Sequence, residues 1–141
     1  MSKLVTMILG AGGVLALSCT ALAQGGAAAG VYSKAQAERG AALYADNCAR
    51  CHGASMEGMD VAPSLTGPRF LTNWQGQPVG SLSARIRTSM PLDMPGIIGL
   101  QASADITADI LAQNGYPSGA AELPSSNAQQ QVLTLDAPPV K

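Results

Sequence analysis

The chain has few aromatic residues, few charges and a single histidine. Aromatic residues make up 4% and charged residues 12% of the 141 positions, and the formal net charge is −1. A small protein with so few large side chains buries little apolar area per residue, so it often depends on a bound group for stability. The weak, mixed charge excludes the basic surface of a nucleic-acid-binding protein. It also gives no basis for strong attraction to an anionic membrane.

Long apolar runs are also scarce, and the one clear run lies at the start of the chain. Lys3 precedes an apolar run from Leu4 to Leu17, and small residues follow as far as Ala23. This pattern is typical of a secretory signal peptide, which we predict at residues 1–23. No later segment is long and apolar enough to be a transmembrane helix. Cys19 leaves a lipoprotein signal as a minor alternative.

Composition divides the rest of the chain into three parts. Residues 24–33 are small and predict a flexible tether, whereas residues 34–119 carry the patterns of one domain. Residues 120–141 form a tail rich in Ser, Ala, Gln and Pro. We expect this tail to be draped over the domain or disordered, with QQVLTL as a candidate extended segment.

Three segments of the domain have helical character. Residues 34–47 combine helix formers with apolar residues at helical spacing, and shorter patterns lie at 81–89 and at about 100–114. Gly40, inside the first segment, indicates a close approach by another element. Many Gly and Pro residues at 53–80 predict an ordered loop with turns. The segment MPLDMPG, which begins at Met90, cannot be helical because of its two prolines.

The motif CARCH, residues 48–52, joins two cysteines to the only histidine. A structural zinc site needs four ligands, usually two separated pairs, and this motif supplies one pair and one histidine. A thiol–disulfide exchange motif expects a preceding strand and a βαβ pattern, and neither is visible. A structural disulfide between Cys48 and Cys51 leaves His52 unexplained.

The spacing C-x-x-C-H is the attachment signature of haem c. Two thiols on one helical turn add to the vinyl groups of the porphyrin, and the adjoining imidazole binds the iron. A bis-histidine site within the chain is excluded because His52 is the only histidine, so methionine is the natural second ligand. Met56 and Met59 follow His52 too closely to reach the far face of the macrocycle. Met90 and Met94, each followed by Pro, remain as candidates.

These residues resemble the class I c-type cytochromes, in particular the single-haem bacterial type found with quinone-cofactor alcohol dehydrogenases. The resemblance covers roughly residues 34–119 and rests mainly on CARCH. The weaker segments follow in the family's order: APSLTGPRFLTNW, RIRTSMP, MPLDMPG and NGYPSG. The resemblance implies an all-α fold of the class I cytochrome c type, with three to four helices around one covalently bound haem c and long ordered loops.

The resemblance also implies roles for single residues. Cys48, Cys51 and His52 would bind the haem, and Met90, in the segment similar to TSMP, is favoured over Met94 as the axial ligand. Pro63 would accept the imidazole Nδ1 hydrogen through its carbonyl. Trp74 is similar to the family tryptophan near a haem propionate, although bulk packing explains it equally well.

The last helix departs from the family pattern. The family carries an aromatic residue at the position of Asp109, and this aromatic helps the last helix to pack across the first near Gly40 and Tyr44. Aspartate cannot fill that place. We therefore expect either a rotated helix or a looser interface.

Iron held by imidazole and thioether has both axial positions filled, so it transfers one electron without binding a substrate. We therefore predict an exported electron-transfer protein rather than an enzyme. The resemblance implies a periplasmic carrier or small subunit with a dehydrogenase as donor and an oxidase or another cytochrome as acceptor, and membrane contact only through these partners. The alternative is a haem protein with an open axial position that binds peroxide or a gas. A peroxidase is disfavoured because no distal acid–base pair can be identified.

Overall fold

The structure is a computed structural model that describes residues 25–60 and 62–139, so the predicted signal peptide lies outside the described residues. The described part contains six α-helices: α1 Lys34–Asn47, α2 Ala49–His52, α3 Gly67–Trp74, α4 Val79–Ser89, α5 Leu100–Gln113 and α6 Asn127–Gln130. A 3-10 turn precedes them at Ala27–Ala29. This part of the chain contains isolated bridges but no strand, as expected for an all-α fold. None of its helices is long and apolar enough to cross a membrane.

The three predicted helices are confirmed as α1, α4 and α5. Ser33 caps α1 by accepting a hydrogen bond from the backbone N–H of Gln36, as expected for a serine at a helix start. α3 lies in the segment predicted to be a loop, and this prediction is wrong for its residues. Pro68 lies in the first turn of α3, and Phe70 packs in the core. Eight residues are too few for a helical period to stand out in the sequence.

α5 is the central helix of the domain. Every residue from Ser103 to Leu111 is buried. α1 crosses one side of α5, and α4 packs on another. The core is built from the buried apolar residues of these helices together with residues of the tail, including Phe70, Val79, Ile106, Ile110, Leu111, Leu123 and Leu135.

α1 crosses α5 at Gly40. A Cβ atom at this position would collide with the backbone carbonyl of Asp105 and would lie 3.0 Å from Cβ of Asp109. The close approach predicted at Gly40 is therefore confirmed. Asp109 faces α1, so α5 is not rotated away, and the backbones meet closely because glycine has no side chain. The expected rotation of α5 is therefore wrong, and the expected looser contact does not occur between the backbones at Gly40.

The segments on either side of the domain pack against each other. Ala27 is fully buried, and its N–H donates to the carbonyl of Thr134 at 2.7 Å. The prediction of a flexible tether does not hold for residues 25–33. In the tail, Leu123 and Leu135 are buried and α6 packs on α4. The described part of the tail is therefore an ordered part of the core. The prediction of an extended segment at QQVLTL is wrong for its first half, because Gln130 ends α6 and residues 131–132 form a turn, whereas Thr134 forms two bridges.

Gln36 fastens the tail to α1. Its Nε2 donates to Asp105 Oδ1 at 3.1 Å and to the carbonyl of Leu123 at 2.9 Å, and its Oε1 accepts the N–H of Leu123 at 2.7 Å. The side chain is fully buried. These bonds satisfy a polar group that would otherwise be costly to bury.

Candidate functional site

Cys48 lies at the junction of α1 and α2 and takes part in the hydrogen bonds of both. Its N–H donates to the carbonyl of Tyr44 at 2.8 Å, and its carbonyl accepts the N–H groups of Cys51 and His52 at 3.1 and 3.0 Å. A φ of −122° at Cys48 bends the chain between the two helices. α2 is therefore a single turn, with the two cysteines three positions apart and facing one side.

The two cysteines are free thiols rather than a disulfide. Cys51 is exposed and Cys48 is partly buried. Burial, followed by the charges of Asp109 and Cys51, raises the pKa of Cys48 to about 11. Cys48 is therefore a neutral thiol at neutral pH. Thiol–disulfide exchange enzymes use a cysteine of lowered pKa that reacts as the thiolate, so this site lacks their chemistry at Cys48.

His52 ends α2, and a backbone carbonyl orients its ring. Nδ1 lies 2.8 Å from the carbonyl oxygen of Pro63, which confirms the contact expected for Pro63. Because a carbonyl can only accept, Nδ1 carries the hydrogen, and in the neutral imidazole Nε2 then keeps its lone pair. An imidazole with a hydrogen-bonded Nδ1 and an available Nε2 is the usual form of a histidine metal ligand.

The loop that carries Pro63 is fastened to α1 and α2. The hydroxyl of Tyr44 donates to the carbonyl of Gly53 at 2.7 Å, and the N–H of Gly58 donates to the carbonyl of His52 at 2.7 Å. Gly53 and Gly58 have φ values of 83° and 81°, a conformation that other residues rarely adopt. α1 thus positions the first cysteine and, through the loop, the partner of the histidine.

The candidate methionines differ in burial. Met90 ends α4, where its N–H donates to the carbonyl of Ile86 at 3.2 Å, and its side chain is partly buried. Met94, in the non-helical segment that follows, is 48% exposed. Met56 is 2% exposed and belongs to the core. The preference for Met90 over Met94 stays a prediction, as do the roles of the two cysteines and the histidine.

An ion pair that the sequence analysis missed connects α2 to the segment with both methionines. The guanidinium of Arg50, which lies between the two cysteines, donates to the carboxylate of Asp93. About half of each side chain is exposed. A charge in a four-residue helix and another in a proline-rich segment give no periodic signal, so the sequence offered no means of pairing them.

A cavity of about 320 Å³ lies beside Asp109, between α1, α2 and α5. Alanines form much of its wall, together with Tyr44, Met56 and Gln113. Asp109 is 3% exposed, and Gln113 donates to its Oδ1 at 3.2 Å. Burial raises the pKa of Asp109, whereas the hydrogen bond from Gln113 opposes this shift.

The residues present fit a covalently bound haem c. Two free thiols one turn apart, an adjacent imidazole with an available Nε2 and thioethers at the end of α4 are the donor set that such a group needs. Several large apolar side chains between the end of α4 and the start of α5 are exposed: Leu92, Met94, Ile97 and Leu100. Exposed apolar residues close together in the chain are consistent with a surface that contacts a bound group.

Comparison with known proteins agrees with this fit. Residues 35–108 match the family model described as cytochrome c oxidase, cbb3-type, subunit III. The match covers just over half of the chain and includes α1, α2, the CARCH motif and both candidate methionines. A search of curated proteins found no significant match.

Solved structures similar to the chain include two dehydrogenases. A chain of the sulfane dehydrogenase SoxCD from Paracoccus pantotrophus is 28% identical, with a TM-score of 0.50, over 74% of this chain and 61% of that chain. A chain of the thiosulfate dehydrogenase TsdBA from Marichromatium purpuratum is 36% identical, with a TM-score of 0.41, over 54% of this chain and 17% of that chain. The chain therefore spans less than two thirds of the length of each.

Proposed function

This chain belongs to the family described as cytochrome c oxidase, cbb3-type, subunit III, as a class I c-type cytochrome with covalently bound haem c, and on this basis we propose that it transfers single electrons with His52 and Met90 as axial ligands. The proposal rests on the His52 ring, whose Nδ1 is held by Pro63 at 2.8 Å beside two free thiols. Bound haem c supplies a one-electron iron couple.

Each residue of the site has a distinct task in this proposal. Cys48 and Cys51 hold the group through thioether bonds on one turn of helix. His52 offers Nε2 as a ligand, and its hydrogen bond to Pro63 fixes the ring and strengthens it as a donor. The thioether of Met90 would supply the second protein ligand to the iron and would favour the ferrous state. With His52 and Met90 both bound, no substrate or gas would compete for the metal.

We further propose that the chain works in the periplasm as a carrier or as a small subunit of a larger complex. Its donor is a dehydrogenase and its acceptor is an oxidase or another cytochrome. The similarity to a chain of a sulfane dehydrogenase supports a dehydrogenase as the donor. The description of the family as an oxidase subunit supports an oxidase as the acceptor. Electron-transfer contacts of this kind are small and transient.

Covalent attachment is tested by exporting the chain from a host that matures c-type cytochromes. After a denaturing gel, a haem stain should colour the band of the parent chain. The stained chain should be found in the periplasmic fraction. The double substitution Cys48→Ala, Cys51→Ala should abolish the stain, whereas Cys19→Ala should leave it unchanged. A colourless parent chain with two titratable thiols would falsify the proposal.

The axial methionine is tested by visible spectroscopy of the oxidised holoprotein. Thioether ligation gives a weak band near the red end of the spectrum. Met90→Ala should remove this band, and Met94→Ala should keep it. Met59→Ala is the matched control, because Met59 is exposed to a similar degree as Met94. Loss of the band in Met94→Ala alone would assign the ligand to Met94 and refute the assignment of Met90.

The open-site alternative is tested by carbon monoxide. A reduced iron with two protein ligands should not change its spectrum when carbon monoxide is added, whereas an iron with a free position should. A large change in the parent chain would favour the ligand-binding alternative. Met90→Ala is the positive control, since it opens that position.

A further inference from the structure

α5 carries two buried acids, and they differ in how their charges are compensated. Asp105 is 4% exposed and pairs with Arg39, which is 3.1 Å from its Oδ2, while Gln36 donates to its Oδ1. Asp109, one turn later, is 3% exposed. Among the described residues only Gln113 donates to Asp109, and it donates to Oδ1. A buried carboxylate without a cation is costly, so protonation relieves the cost.

Water can reach Asp109 through the cavity beside it. Asp109 lines this cavity of about 320 Å³. Several residues around it are exposed, including Ala41, Ala45 and Ser55, so the cavity opens at the surface. A cavity of this size is large enough to hold water, and the carboxyl group gives such water a polar partner. Protons can therefore exchange between Asp109 and solvent.

The same cavity brings Asp109 close to the haem-attachment turn. Ala49, which follows Cys48 and starts α2, lines the cavity together with Asp109. Asp109 is also near enough for its charge to raise the pKa of Cys48, although burial contributes more. A change of charge at a haem attached to Cys48 would therefore act on Asp109, because groups this close interact electrostatically even when water partly screens them.

The titratable groups around Asp109 do not offset its charge. Tyr44 of α1 and Tyr32 before α1 both have pKa values raised by burial and, to a smaller extent, by the charge of Asp109. Cys48 faces it from the junction with α2, and the charge of Glu57 in the following loop acts on Tyr44. None of these four groups is a cation.

We propose that Asp109 binds a proton when the haem accepts an electron and releases it when the haem is oxidised. This inference rests on the proposed electron transfer. Bound haem would take one electron from the proposed donor, and Asp109 would take one proton from the solvent, with a new O–H bond at Oδ2, the oxygen to which no described residue donates. On oxidation the electron would pass to the acceptor and the proton would return to the solvent, so the net charge of the site would not change. Because the coupling is reciprocal, the proton on Asp109 favours reduction as much as reduction favours the proton.

The test is the reduction potential of the holoprotein as a function of pH, measured for the parent chain, Asp109→Asn and Asp109→Glu. An anion near the iron favours the ferric state, so the parent potential should fall as pH rises through the titration of Asp109. Asparagine has the shape of the protonated acid and can still accept from Gln113. The Asp109→Asn potential should therefore equal the parent value at acid pH and exceed it at alkaline pH. Asp109→Glu should keep the pH dependence, since it keeps a carboxyl group at the cavity.

Two further measurements separate this coupling from other effects. The haem propionates also titrate, but they are present in every variant, so the difference between parent and Asp109→Asn isolates Asp109. Asp46→Asn makes the same change at an exposed position of α1 and should shift the potential little, because water screens the charge. In unbuffered solution with an indicator dye, reduction should take up fewer protons in Asp109→Asn than in the parent.

The outcomes distinguish this inference from the proposed function. A reversible couple whose difference between parent and Asp109→Asn is independent of pH overturns the inference and leaves electron transfer in place. The absence of any reversible couple in the purified parent overturns electron transfer, and the inference falls with it. A pH-dependent difference together with reduced proton uptake supports both.

Discussion

The two halves of the haem site are built differently. The attachment region, which consists of α1, α2 and the loop that carries Pro63, is tied together by backbone hydrogen bonds, by the buried Tyr44 hydroxyl and by the close helix crossing at Gly40. The methionine segment, residues 90–99, has one backbone hydrogen bond of its own, from Met94 N–H to the carbonyl of Pro91. Leu92 in this segment is 73% exposed.

This difference follows from the amino acids of each half. Helices satisfy their backbone groups locally, whereas the prolines of the methionine segment remove N–H donors and prevent a helix. The protein alone therefore fixes the histidine and the thiols. Within the protein the methionine segment has fewer hydrogen bonds, although Ile98 packs in the core, so we expect its order to depend more on the haem.

The largest effect is expected from Gly40→Ala. The added methyl group meets the carbonyl of Asp105, which is backbone and cannot move aside without shifting α5. Overpacking of this kind costs about 2 to 3 kcal/mol, which denaturant unfolding of the holoprotein would measure. The matched control is Gly99→Ala in the methionine segment, where an added Cβ meets nothing within 4 Å. A comparable loss in Gly99→Ala would refute the contrast between the two halves.

A smaller loss is expected from Tyr44→Phe. This change removes the hydroxyl that donates to the carbonyl of Gly53 at 2.7 Å and leaves a buried acceptor without its partner. The expected cost is about 1 kcal/mol in the free energy of unfolding. Thr88→Val serves as the control, because Thr88 donates to the carbonyl of Ala84 at 2.8 Å at an exposed position of α4. Equal losses of unfolding free energy in the two variants would mean that burial of the Tyr44 hydrogen bond adds no stability.

Sequence reasoning was most successful where short-range chemistry decides the structure. α1 and α5 follow from helical spacing, and Gly40 indicated the close crossing. The contact between His52 and Pro63 came from resemblance, since no local rule joins a histidine to a carbonyl eleven residues later.

The failures involve contacts between distant parts of the chain. The tail was expected to be draped or disordered because its composition is polar, yet Gln36 binds the backbone of Leu123 from 87 positions away. Arg50 and Asp93 form a pair across 43 positions. Asp109 was expected to disturb the crossing of α1 and α5. The backbones nevertheless stay close at Gly40, and a cavity lies beside the crossing at Asp109.

The stability contributed by the two halves should also change with pH in opposite directions. The titrating group at the attachment region is Asp109, which packs against α1. Burial raises the pKa of Asp109 in the folded state, so its contribution to stability is fully present below the unfolded pKa of about 4 and is lost as pH rises through the folded value. Asp109→Asn cannot titrate and should therefore be more stable than the parent chain at neutral pH. The midpoints of denaturant unfolding should converge at acid pH, and a constant difference would contradict the assignment.

The smallest effect is expected from the Arg50–Asp93 pair in the methionine segment. The hydrogen bond from Arg50 lowers the pKa of Asp93, so this contribution to stability is present above the unfolded pKa of aspartate and is lost as pH falls through the folded value. Because both side chains are about half exposed, water and salt screen the pair. Arg50→Gln should lower the unfolding midpoint less than Tyr44→Phe does. Added salt should reduce the difference in midpoint between the parent chain and Arg50→Gln.

Hydrogen exchange locates the effect of that pair. Amides of residues 92–97 should exchange faster in Arg50→Gln, since the ion pair is a tie between this segment and α2. Lys34→Gln is the matched control, because it breaks an exposed ion pair between Lys34 and Glu38 within α1 and should leave those amides unchanged. Unchanged exchange in Arg50→Gln would mean that the ion pair does not hold the segment, and that Ile98 in the core and the bound haem account for its order.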